Sequence, residues 1–202
     1  MRNSNKLVQG IGFKGMDYPS CGNGKPLKVY QMWRGLLERC TEKCWTKHPS
    51  YVDTTCSDNF KHFTFFYEWC QEQIGFGNTD DNGRSWHLDK DILFKGNKLY
   101  SEDTCVFVPQ RINALLVNCN TSRGEFPICT HRNKYCDTFV SVCNNGTGKK
   151  EYLGSFKTAQ EAFKAYKTFK EAVIKEVANE YKDQLDPRAY QALMKYEVNE
   201  ND

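Results

Sequence analysis

"WHLDKDILFKGNKLYSEDTCVFVPQRIN", residues Trp86–Asn113, opens with a histidine and a D-K-D triplet and ends on an asparagine. Leu88, Ile92 and Phe94 are apolar with polar residues between them, the period of a short half-buried strand. Gly96-Asn97 is a turn pair, and "TCVFVP" is a second run rich in strand formers. Pro109 stands where a helix can begin, because its missing donor costs nothing at the first helical position. Asn113 then falls one turn into that helix. The expected order is strand, turn, strand, helix.

Strand alternation puts His87, Asp89 and Asp91 on one face, with Lys90 opposite. A unit with acidic groups on its strand (Asp89, Asp91) and Asn113 on its helix can bind one divalent cation, because carboxylate and amide oxygens suit Mg²⁺ or Mn²⁺. Such an ion can stabilise the leaving oxygen of a phosphodiester while a nearby base activates water. D-x-D strands are also common as plain surface charge, and the residues taken alone favour that simpler reading.

Upstream, residues 1–27 are rich in Gly, Pro, Ser and Asn and read as loop, with a short hairpin around "GIGFKG". "KVYQMWRGLLERCTEKCW" then spaces Val29, Met32, Trp33, Leu36, Leu37, Cys40 and Cys44 by threes and fours, one face of an amphipathic helix. Its other face carries Lys28, Arg34, Arg39, Lys43 and Lys47 against Glu38 and Glu42, which fits a solvated surface or a phosphate-contacting one. After a break at Pro49 and a cap near Ser57 or Asp58, Phe60, Phe63, Phe66, Trp69 and Cys70 form the stripe of a second core helix.

With 202 residues the chain has room for one domain or two small ones. At 39% hydrophobic and 14% aromatic it can bury a core, which excludes a disordered chain. A net charge of only +3 means that any nucleic-acid surface must come from clustered charge. The N-terminal stretch has no long apolar run, so neither a signal peptide nor a membrane anchor is expected, and the chain reads as intracellular. There are ten cysteines, with one C-x3-C at Cys40 and Cys44 and no C-x2-C pair, so a structural zinc site is not expected. Reduced cysteines acting as small hydrophobes are the simpler reading, with zinc through Cys40, Cys44 and Cys56 as the alternative.

Downstream of Ser122, "PICTHRN" and "TFVSVCNNGTGKKEYLGSF" read as three short strands with turns near Asn133 and at "NNGTGKK". Thr158 and Glu161 have the spacing of a capping box. Behind them Ala159, Ala162, Phe163, Tyr166, Phe169, Val173, Val177 and Tyr181 keep helical spacing, so a long helix is expected to pack on the sheet. A short helix, "PRAYQALMKY", and an acidic tail close the chain. From residue 131 to 175, Arg132, Lys134, Lys149, Lys150, Lys157, Lys164, Lys167, Lys170 and Lys175 face only Asp137, Glu151, Glu161 and Glu171. A lysine-rich helix face is usually just solvated, so the strand and turn residues are the candidate contacts.

The opening stretch resembles the ββα-metal, or HNH, nuclease motif, in a variant associated with homing-endonuclease-like proteins of tailed bacteriophages. The resemblance covers roughly residues 7–117 and includes "YQMWRGLLERC", "DNFKHFTFFYEW" and the block "LDKDIL…GNK.YS…CVFVP..IN". It implies that Asp89 is the metal-binding aspartate and that Asn113 is the ligand on the helix. It sets Lys90 where the family's wider motif has the general-base histidine. A lysine near its reference pKa of about 10.4 is protonated at neutral pH and cannot accept a proton. Lys90 would instead neutralise the scissile phosphate, and His87, on the Asp89 face, would serve as the base. The substitution equally allows a site that has lost its chemistry.

The C-terminal module resembles the Apetala-type, or ethylene-response-factor, DNA-binding domain over roughly residues 125–182, through "FVSV…KKEYLGSFKTAQEAFKAY". That likeness implies a sheet that enters the major groove with a helix behind it. Arg132, Lys134, Lys149 and Lys150 become the leading DNA contacts, with Asn144 and Tyr152 secondary. Plant members carry more arginines and a tryptophan on the sheet, and this chain does not.

The expectation is therefore an α+β chain. An HNH-like domain over residues 1–122, with its ββα unit at about 86–117, precedes a three-stranded antiparallel sheet packed on a long helix over 123–202. The expected function is a Mg²⁺- or Mn²⁺-dependent phage endonuclease acting on double-stranded DNA in the cytoplasm of the infected host, with no membrane partner. The alternative is a catalytically inactive DNA-binding or regulatory protein on the same scaffold.

Overall fold

The structure is a computed structural model that describes residues 7–116, 126–200 and 202. It is mixed α+β, and the chain divides into two units, Met1–Asn78 with Leu88–Phe107 and Thr79–His87 with Val108–Asp202.

The first unit is built on aromatic side chains at helical spacing. A hairpin of β1 (Cys21–Gly22) and β2 (Lys25–Pro26) turns at Asn23-Gly24, where both residues have positive φ. Helix α1 (Lys28–Arg39) buries Val29, Trp33, Leu36 and Leu37. The amphipathic pattern predicts helix on through Cys44, but the helix breaks at Cys40-Thr41. The Thr41 hydroxyl donates to the Glu38 carbonyl at 2.7 Å and accepts the Cys44 N–H at 3.4 Å, capping a separate α2 (Glu42–Lys47). A threonine that bonds to nearby backbone in this way competes with helix continuation.

A 3₁₀ turn at Pro49–Tyr51 leads to β3 (Thr55–Cys56), and a second 3₁₀ turn at Asn59–Lys61 leads to α3 (Phe63–Glu72). The Ser57 hydroxyl accepts the Phe60 N–H at 3.2 Å, so the expected cap is present and belongs to the 3₁₀ turn. Phe63, Phe66, Trp69 and Cys70 are buried along α3. Trp33 joins the two helices: its indole donates to the Phe60 carbonyl at 2.8 Å, and its ring lies 5.2 Å from Phe63. Gly12 passes so close to this ring that a Cβ there would sit 2.2 Å from Leu37 Cδ1. Only glycine fits.

Within the stretch that opened the sequence, β4 is His87–Asp89, β5 is Leu99–Tyr100 and β6 is Val106–Val108. The first strand is shorter than alternation predicts and ends before Lys90. Of its expected apolar members Ile92 is buried, whereas Phe94 is 59% exposed. β4 pairs with β6, while β5 pairs in parallel with β3, so the two short segments after the Gly96-Asn97 turn have different partners. Helix α4 (Gln110–Leu115) follows, with Pro109 as its extended N-cap instead of its first helical residue. The Pro109 carbonyl accepts the Asn113 N–H at 3.2 Å.

In the second unit, β7 (Thr130–Arg132), β8 (Phe139–Asn144) and β9 (Lys150–Phe156) form an antiparallel sheet in that order. Helix α5 (Ala159–Glu180) packs on it, and α6 (Pro187–Met194) packs on α5. The capping box is formed: Thr158 Oγ1 accepts from Glu161 N, and the Glu161 carboxylate accepts from Thr158 N. Cys143, Phe163, Tyr166, Ile128 and Val198 make the core, with Leu153, Phe169 and Tyr196 against it. The β8–β9 turn lies on α5, since a Cβ at Gly146, at φ +79°, would meet Val173 and Val177 at 3.2 Å. Among the described residues no helix is long and apolar enough to cross a membrane.

The cysteines divide between core and surface. Cys44, Cys56, Cys70, Cys105 and Cys143 are buried, whereas Cys21, Cys129 and Cys136 are exposed, and all of these are free thiols. Burial pushes the Cys143 thiol up to about 11, so it stays neutral and packs as a small apolar group.

Candidate functional site

His87 and Asn113, separated by 26 positions in sequence, come together: Asn113 Nδ2 lies 3.3 Å from His87 Nδ1. Each is held in place from outside the pair. Trp86, immediately before the histidine, is buried, with its ring edge-on to Tyr181 of the α5 C-cap at 6.2 Å. Arg111, two residues before the asparagine, donates from Nε to the Gly146 carbonyl at 2.7 Å and forks its guanidinium onto the Glu180 carboxylate. Ile112 and Leu115 are the buried residues of α4. The bidentate Arg111–Glu180 pair fixes the helix in position and in rotation. Arg111 was not among the residues singled out from sequence; in "VPQRIN" it reads only as one more surface cation.

With the amide N–H donating to Nδ1, the ring proton of the imidazole would sit on Nε2. The amide oxygen of Asn113 is then the atom left over from this contact, and it is the kind of ligand that Mg²⁺ or Mn²⁺ takes. The nitrogen able to act as a base is the one that Asn113 occupies. Proton abstraction by His87 therefore requires the amide to move off Nδ1 or to turn over, which would place Nδ1–H on its oxygen and free Nε2.

Asp89, Lys90 and Asp91 belong to the other unit. Asp89 Oδ1 accepts two backbone N–H groups, from Asp91 at 2.7 Å and Ile92 at 2.9 Å, which folds the chain over as it leaves β4. That turn replaces the strand on which Asp91 was expected to share a face with Asp89. Oδ2 takes no part in those two bonds. Burial pushes the Asp89 carboxyl above its ordinary value, against the two backbone bonds that hold it down. A bound cation would pull it back toward the ionised form.

Lys90 is only 6% exposed. Its ammonium donates to Asp91 Oδ1 and to the Asn97 carbonyl, both at 2.7 Å, and lies 5.6 Å from the centre of the Tyr100 ring. Asn97 returns the contact, donating from Nδ2 to the Lys90 carbonyl at 2.8 Å and to the Leu99 carbonyl at 2.7 Å. Asp91 therefore serves here as the partner of a buried ammonium. Asn97 reads from sequence as a turn residue only, yet it clamps the loop from both sides. No group of three or more His, Cys, Asp or Glu side chains suited to a metal ion occurs among the described residues.

The expected DNA contacts fall in four places. Asn144, Lys150 and Tyr152 stand on the face of the sheet turned away from α5, Asn144 opposite Lys150 and Val142 opposite Tyr152. Lys149 lies in the β8–β9 turn and is exposed, while the Asn144 side chain accepts the Gly146 N–H and shapes that turn. Arg132 pairs in register with Phe139, on the α5 side of the strands, and its guanidinium holds Asp137 at 2.6 Å. Lys134 is exposed in the β7–β8 turn, where the Asn133 side chain accepts the Tyr135 N–H at 3.0 Å.

No family model, curated protein or solved structure matches the chain.

Proposed function

We propose that the protein is a DNA-binding, divalent-metal-dependent endonuclease of the HNH type, acting on double-stranded DNA. The observation that carries the reading is the His87–Asn113 contact at 3.3 Å, which couples a candidate base to a candidate ligand on the helix after β6. Asn113 offers an amide oxygen of the kind Mg²⁺ or Mn²⁺ takes, and the resemblance assigns the carboxylate of Asp89 the same role. When bound, such an ion neutralises charge on the leaving oxygen of the phosphodiester. His87 accepts the proton of the attacking water, once Asn113 has released its nitrogen. Lys134 and Lys149 in the turns, with Lys150 at the start of β9, supply phosphate contacts that hold the duplex.

A second reading, a DNA-binding protein on a retired nuclease scaffold, is favoured by Lys90. The residue in the general-base position is buried, and its ammonium is spent on Asp91 and Asn97.

Plasmid nicking with Mg²⁺ and with Mn²⁺ separates the two readings. The endonuclease reading expects nicking by the wild type, its loss in Asp89→Ala and Asn113→Ala, and a fall of roughly 10²–10⁴-fold in His87→Ala, the usual contribution of a general base. A wild type that binds DNA and never nicks it leaves the second reading standing.

A further inference from the structure

The sheet face turned away from α5 has a composition of its own. Ser141 and Cys143 of the central strand β8 are buried on the α5 side, so alternation turns Val140, Val142 and Asn144 outward. Register adds their neighbours: His131 and Ser155 flank Val140, Tyr152 flanks Val142, and Lys150 flanks Asn144. The central strand of the face is thus aliphatic up to Asn144, with Tyr152 65% exposed and the two valines half-buried between His131 and Ser155 on one row and Tyr152 on the next. Lys150, with Lys149 beside it, stands at one end of the strands, and Lys134 is exposed in the turn at the other.

Charge at the ends suits the phosphates of a duplex, and the apolar centre limits what can be read between them. In the major groove, guanine presents two acceptors that take Arg or Lys, and adenine takes Asn or Gln, whereas an aliphatic side chain has one feature to recognise, the 5-methyl group of thymine. We propose that this face reads thymine methyl groups, with Val140 and Val142 as the contacts, so that the preferred ligand is duplex DNA carrying thymine beneath the central strand. The proposal rests on the DNA-binding reading above and adds its base preference. Lys149, Lys150 and Lys134 position the duplex without reading it. The two valines decide which base pairs are tolerated under β8.

Uracil in place of thymine keeps every base pair and removes only the methyl groups, which isolates the proposed contact. The probe is a random-sequence duplex pool synthesised with thymidine or with deoxyuridine nucleotides, bound by the full chain. The wild type is expected to bind the thymine pool more tightly, by about fourfold for each methyl group buried. In the doubly substituted Val140→Ser, Val142→Ser protein the thymine-to-uracil ratio should fall toward one. Serine removes both methyl groups of each valine, and a ratio taken within one protein is insensitive to a partly unfolded fraction. Lys149→Ala should weaken binding to both pools equally. Equal wild-type affinity for the two pools overturns the proposal and leaves DNA binding intact, and so does a ratio that survives the double substitution. Failure to bind either pool overturns the DNA-binding reading and the base preference with it.

Discussion

A single side chain can look catalytic in sequence and be tied into the scaffold in the structure. Lys90 sits in a D-K-D triplet that resembles a motif with a base at that position, and alternation predicts it opposite Asp89, although β4 ends one residue before it. What it binds was not legible, because its two partners are a carboxylate beyond the end of the strand and a carbonyl seven residues on. Neither contact leaves a periodic trace. Asn97 is the same kind of case: Gly-Asn is legible as a turn, but a turn residue that also ties the Lys90 and Leu99 carbonyls is not. Removing both bonds leaves the Lys90 carbonyl seeking water, at roughly 1–3 kcal/mol for a group left unsatisfied, while the Leu99 carbonyl keeps the Thr104 hydroxyl. Asn97→Ala should therefore lower the denaturant midpoint of unfolding, while Asn97→Asp, which keeps the acceptor for the Leu99 N–H but loses both donors, should recover little of it. Full stability in Asn97→Ala would show that the loop holds its shape without the clamp.

Elements were legible where local chemistry alone defines them. The Thr158–Glu161 box and the period behind it predicted α5 from its first turn, and the Asn-Gly-rich turns delimited β8 and β9. The short strands of the first unit were not legible in the same way, since two-residue strands such as β3 and β5 depend on each other across 44 positions. Helix α6 shows how an end is fixed. Asp186, at its N-cap, accepts the Arg188 N–H at 2.7 Å and the Arg188 guanidinium at 2.8 Å. Burial alone would raise this carboxyl, yet the bonds from Arg188 prevail and hold it below the ordinary aspartate range. A folded-state value below the unfolded one of about 3.9 means that the ionised cap contributes its full stability above that pH. The contribution is lost as pH falls through the depressed folded value. Thermal midpoints taken from about pH 5 down to about pH 2 should therefore drop more steeply for the wild type than for Asp186→Asn. Parallel curves would mean that the cap does not titrate with folding.

At the scale of the whole chain, composition and the two pattern changes anticipated an α+β protein with a sheet on a helix. They did not anticipate that residues 79–87 and 108–116 pack with the C-terminal sheet and its helix. The reason is physical: Trp86 is tied to Tyr181 and Arg111 to Glu180, about 70 to 95 positions away, and no periodicity encodes a partner so distant. A chain ended near residue 122 keeps Trp86, His87 and α4 but loses α5, so Trp86 forfeits the ring that it packs on and Arg111 forfeits both of its acceptors. The fragment should show tryptophan emission shifted toward that of a solvated indole, and a broader unfolding transition than the intact chain. It should also lose any metal-dependent nicking, because the helix that sets Asn113 against His87 is no longer held. Supplying residues 123–202 as a separate chain should restore part of the native emission if these contacts are what is missing. A fragment that unfolds as sharply as the full protein and nicks DNA at the same rate would show that α4 is positioned without α5.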